Sequence, residues 1–202
     1  MTTSLVSARW IVTGIEDNGE PVVIPNAALA HDNGRVVAVG PADQIRTTYE
    51  GAAETSYGAH MMLPGFVNSH HHVGLTPLQL GSPDYALELW FAGRLSARDI
   101  DPYLDTLYSA FEMIESGITT VQHIHGWMKG PYANVHSAAS AVLRAYKDMG
   151  MRTSYSFAVR EQNHFVYESN EEFCNRLPPD VGTVLAAHLK AQEMPFNEFM
   201  TC

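Results

Sequence analysis

The stretch that decides the reading is "PGFVNSHHHVG", residues 64–74, where three adjacent histidines follow an apolar run, Met61 to Val67. On an extended strand successive side chains point to opposite faces, so His70 and His72 share a face and His71 points away. A His-x-His pair at a strand end can bring two imidazoles to one ion, and imidazole nitrogen suits zinc, iron or nickel. The competing reading is a polar loop run without ligands, because short motifs also arise by chance. The apolar run in front of the histidines reads as a strand buried on both faces, the pattern of a parallel sheet.

Working outward, residues 1–60 read as a small all-β segment with hairpin signals at Asn18-Gly19 and Asn33-Gly34 and one or two helical turns at "ADQIRTTY" (42–49). Residues 61–202 alternate between strands and helices. "DPYLDTLYSAFEMIESG" (101–117) has helical apolar spacing, with Asp101 as N-cap, Pro102 at the first helical position and Gly117 past the end. "ITTVQHI" (118–124) is strand-like, 137–150 reads as a helix capped by Ser137, and 152–161 reads as a strand. A last helix begins near Pro178, interrupted by Gly182. This order predicts a parallel sheet with crossover helices. Chemistry in such folds sits at the carboxyl ends of the strands. Three polar clusters fall there: His70–His72, His123–His125 and Arg160–Asn163.

Composition narrows the function. The 202 residues carry a net charge of −10, which repels phosphate backbones and argues against nucleic-acid binding. The two cysteines, Cys174 and Cys202, form no disulfide framework and fit a reducing, cytoplasmic setting. No signal peptide and no apolar run of about 18 residues is present, so no membrane span is expected.

"LPGFVNSHHH" resembles the signature of the amidohydrolase superfamily, in its deaminase and triazine chlorohydrolase branch. "GRVVAVGPADQI" looks like that family's N-terminal β-sandwich segment, and "ESGITTVQHI" looks like its second barrel strand. The resemblance implies an α/β fold: an incomplete (β/α)8 TIM-type barrel, about its first three β/α units, preceded by part of a composite β-sandwich domain. It implies one divalent metal ion, zinc ahead of iron, held in part by His70 and His72. The implied reaction is attack of metal-activated water on a small N-heterocyclic amine or amide, with hydrolytic deamination or dechlorination. A full-length form is expected to be a homo-oligomer. The family's later ligands, two histidines and an aspartate, and its general base find no position here. His188 falls in a helical pattern and is not assigned. The chain is therefore expected to be an N-terminal fragment, inactive alone.

Further candidates for substrate contact are Trp90, His123, His125 and Arg160, with Gln162 and Asn163 beside the last. Each also has a bland reading: a packed tryptophan, strand-end histidines satisfied by hydrogen bonds, a solvated loop. His123 and His125 are expected at the barrel mouth. Glu112 and Glu115 read as solvent-facing helix charges, and Met61 and Met62 as core. Two other functions stay open: a non-catalytic or partial-gene product that keeps the fold, and an unrelated histidine-based metal-binding module.

Overall fold

The structure, a computed structural model, describes residues 3–72, 85, 86, 89, 90, 93, 100–126, 134–157, 166, 168–191, 193 and 195–200. The chain divides into two units, Met1–Pro64 and Gly65–Cys202.

The first unit contains β1 (Ser4–Ile15), β2 (Pro21–Asp32), β3 (Arg35–Pro41), α1 (Ala42–Thr48) and β4 (Ala53–Met62). Its sheet has the order β3-β2-β1-β4. The first three strands form antiparallel hairpins, and β4 returns parallel to β1. Gly19, Asn33 and Gly34 adopt the positive φ that tight turns demand. Leu5, Ala28, Ala30, Ala42 and Ile45 form one buried cluster under α1, and Ala8, Ile11 and Ala27 form another with Met62 against it.

One expectation holds here and one changes. The helical turns read at "ADQIRTTY" are α1, which links β3 to β4. Met61 and Met62 do not start the histidine strand; they end β4, opposite Trp10 and Ile11, and Met61 is 52% exposed. The break comes at Leu63-Pro64-Gly65, where proline has no N–H to give a ladder.

The second unit runs β5 (Phe66–His71), α2 (Pro102–Glu115), β6 (Ile118–His125), α3 (Val135–Asp148) and β7 (Arg152–Phe157), then α4 (Asn170–Arg176), α5 (Pro179–Ala191) and α6 (Phe196–Phe199). The three strands form a parallel sheet in the order β5-β6-β7. Asp101 caps α2 by accepting from the N–H groups of Tyr103 and Leu104, and Gly117 closes the turn behind it at φ +79°. Helix α3 starts two residues before Ser137, whose hydroxyl donates to the Asn134 carbonyl. Ala110 and Met113 of α2, Val121 of β6 and Val142 and Tyr146 of α3 make the core, so the helices cover one face of the sheet.

Phe66 and Val67 are more than half exposed, against the expectation of a strand buried on both faces. Strand β5 is an edge strand, with a neighbour on its β6 side alone among the described residues. Gly182 does not break α5. A Cβ there would lie 2.3 Å from the Cys174 carbonyl oxygen, so glycine lets α5 pass close to α4. No helix among the described residues is long and apolar enough to cross a membrane.

Candidate functional site

The register of β5 on β6 decides which way the histidines point. Asn68 pairs with Val121 and His71 with His123, so β5 spends one residue more than β6 over that step. This is a β-bulge. The Asn68 side chain closes it by accepting from the His70 N–H at 3.1 Å. The bulge resets the alternation. Asn68 points to the helix layer, its amide 3.8 Å from Met113 Sδ, and His71 points the same way, its ring centroid 6.1 Å from that of His123. His70 and His72 take the other face.

His70 and His72 meet there, with Nε2 atoms 3.0 Å apart. His72 Nδ1 lies 2.8 Å from the Ile124 carbonyl oxygen. A carbonyl can only accept, so Nδ1 carries the hydrogen and Nε2 of a neutral His72 presents its lone pair towards His70. Two imidazole nitrogens at this spacing suit one ion, since zinc–nitrogen bonds of about 2.0–2.1 Å span a similar separation. Among the described residues no group of three or more His, Cys, Asp or Glu side chains is placed to hold a metal, so the pair is a partial donor set.

His123 and His125 face the helices, not the mouth. They lie on the face of β6 that carries Val121 into the core, and both are buried. His123 Nδ1 is 3.1 Å from the Tyr146 hydroxyl of α3, and its ring stacks on Tyr155 of β7 at 9°. His125 Nδ1 is 2.7 Å from the Tyr155 hydroxyl. His123 Nε2 and His71 Nε2 are buried without a hydrogen-bond partner. Burial, joined by repulsion from His125, His71 and His72, pushes the His123 imidazole down to about 3. Burial also lowers His71, against a weaker opposing pull from Glu112. Burial raises Tyr155 to about 12 and raises Tyr146 as well.

The remaining candidates are scattered. Trp90 is half-buried on a helical turn, its backbone N–H donating to the Ala86 carbonyl. Arg160, Gln162 and Asn163 lie outside the described residues. Glu112 and Glu115 are exposed on α2, as read from the sequence, and His188 is on α5. Reading from sequence missed Gln122 and Ser156. Gln122 alternates away from the buried face of β6, and its amide donates to the Ser156 hydroxyl at 3.1 Å. Counting alternation from Val121 as a core residue would have found Gln122 and turned His123 inward to the helices.

Solved structures share this mixed α/β fold. The structure resembles guanine deaminase from Bradyrhizobium japonicum with TM-score 0.59 at 18% identity, covering 93% of this chain and 41% of that one. It resembles atrazine chlorohydrolase from Arthrobacter aurescens TC1, solved with zinc, with TM-score 0.61 at 20% identity, covering 79% and 36%. The amidohydrolase family model matches residues 61–195, and the chain belongs to that family. A curated relative, the 5-methylthioadenosine/S-adenosylhomocysteine deaminase of Symbiobacterium thermophilum, is 30% identical over 141 residues, 66% of this chain and 29% of that protein. The enzyme of the same description from Nitratidesulfovibrio vulgaris strain DP4 is 29% identical over 74% of this chain and 32% of its own length. The chain thus spans about a third of the length of these curated relatives.

Proposed function

We propose that β5, β6 and β7 with their helices are the first three β/α units of a (β/α)8 barrel, and that His70 and His72 are two ligands of its single divalent metal ion, zinc ahead of iron. The observation that carries this is the convergence of the two Nε2 atoms, 3.0 Å apart at the carboxyl end of a parallel strand. When bound, the ion supplies Lewis acidity that brings the pKa of a water to about 7. The chain's own part is to hold His70 and His72 side by side and to fix the proton of His72 on Nδ1. The substrate class is a small N-heterocyclic amine, as the names of the similar deaminases suggest, and the reaction is hydrolytic loss of ammonia or chloride. Among the described residues no further ligand joins these two imidazoles, and two alone hold an ion weakly, so the 202-residue chain by itself is expected to be inactive.

Zinc titration of His→Ala variants tests the ligand assignment. H70A and H72A should each weaken binding at least about tenfold, and H71A should leave it within about threefold. Equal losses at all three positions would sink the assignment. Metal-dependent ammonia release from a nucleoside by the purified chain would overturn the inactivity. The reading frame downstream of Cys202 tests the enzyme reading: codons for two histidines and an aspartate at later strand ends support it, and an immediate stop favours a non-catalytic product.

A further inference from the structure

The Nδ1 of His72 lies against one peptide carbonyl, that of Ile124. Strand β5 ends at His71, whose register partner is His123. The next carbonyl along β6 accepts from the His72 imidazole, so a side chain continues the bonding where the strand stops. The direction of that carbonyl therefore sets which nitrogen of His72 keeps its hydrogen.

Ile124 sits between two residues whose rings are tethered on the opposite face of the sheet. His123 before it meets the Tyr146 hydroxyl at 3.1 Å, and His125 after it meets the Tyr155 hydroxyl at 2.7 Å. Tyr146 is 1% exposed and His123 is fully buried, so the first tether stands where no water competes. The tyrosines come from different elements, α3 and β7, and hold β6 from two sides. Tyr155 serves both, stacking on His123 while binding His125. On the other edge of β6, the Ser156 hydroxyl points at the His123 carbonyl at 3.4 Å.

The geometry points to Tyr146 and Tyr155 as positioning residues: through His123 and His125 they clamp the Ile124 peptide, and the clamped carbonyl holds His72 in its Nδ1–H tautomer with Nε2 free for a metal. This rests on the metal reading for its purpose, but not for its test. The tautomer is a property of the metal-free chain.

The test is nitrogen-15 NMR of histidine-labelled, metal-free protein, followed by zinc titration. In the unaltered chain His72 should show a protonated Nδ1 and an unprotonated Nε2. Y146F and Y155F should each move His72 towards the other tautomer and weaken zinc binding about tenfold, the size expected for losing support behind a ligand. Y103F is the control, since it removes a tyrosine–carboxylate bond between α2 and α3 at 3.0 Å that involves neither His123 nor His125. Unchanged tautomer in folded Y146F and Y155F, or an equal change in Y103F, overturns the inference. Should the phenylalanine variants fail to fold, H125N and H125L decide. Asparagine keeps a polar atom near the Nδ1 position and should retain the tautomer, whereas leucine should lose it; equal behaviour of the two overturns the inference. If zinc fails to bind the unaltered chain at all, the metal reading falls and the tautomer result still stands or falls alone.

Discussion

The two sheets of this molecule are built by opposite rules. In the first unit, β1, β2 and β3 are joined in turn by connections of two or a few residues, and local turn chemistry sets their register. An ionic cluster of Arg46 with Glu54 and Asp43 is at the surface. In the second unit every strand pairs parallel across a helix, register is carried by packing, and titratable groups are drawn into the helix layer. The lesson is that the first sheet keeps its charges where water can screen them, and the second buries imidazoles and so acquires a dependence on pH.

That contrast can be broken most forcefully by acid. Folded His123 titrates near 3 and an ordinary histidine near 6.5, so below pH 6.5 the unfolded chain binds a proton that the folded one refuses. Stability of the second unit should fall as pH drops from 6.5 towards 3, by a total of the order of 4 kcal/mol. The first unit has a different window. Arg46 and Ser7 hold Glu54 down at about 2, so its contribution is full above 4.5 and is lost only as pH falls through about 2. Hydrogen exchange followed peptide by peptide should show β5–β7 losing protection at higher pH than β1–β4. Simultaneous loss in both sheets would contradict the contrast.

A smaller effect tests the packing rule. A Cβ on Gly65 would lie 2.1 Å from Thr119 Oγ1 and 2.5 Å from its Cγ2. The glycine of "PGF" is therefore shaped by the threonine of "ITT", two segments far apart in sequence. Gly65→Ala should cost about 1–3 kcal/mol, measured by urea unfolding. It should be partly rescued by Thr119→Ala, which removes both the hydroxyl and the methyl, and an unchanged midpoint in Gly65→Ala would show that the strands are not locked there. The smallest effect belongs to the first unit. Arg46→Ala should cost less than about 1 kcal/mol and should matter less in high salt, because the pair is exposed. A larger, salt-independent loss would place that cluster with the buried ones.

Much of this was legible in the sequence. Asn33-Gly34, the Asp101 cap and Gly117 are local signals, and each acts within a few residues of where it is read. The pairing of His70 with His72 follows from alternation over two residues, which the bulge leaves intact. What failed depended on distant neighbours. The facing of His123 and His125 depends on which side of β6 the helices cover, and only the shared core of Val121, Ala110 and Tyr146 reveals it. Met61 and Met62 carried an apolar pattern that suits either β4 or β5, and pairing with β1 decided between them. Gly182 read as a helix breaker because its use, clearance for the Cys174 carbonyl, lies on another helix.

The parallel return of β4 to β1 has a consequence for the order of events during synthesis. Ser4 sits opposite Ala53, and Ile11 opposite Met62. Strands β1 to β3 can zip as successive hairpins while they leave the ribosome, but the exposed flank of β1 waits until β4 has emerged. The histidine strand follows directly behind. Translation therefore brings β1 to β4 together just before it delivers the first residues of the second sheet, and a pause near Pro64 would let these four strands pair before β5 emerges.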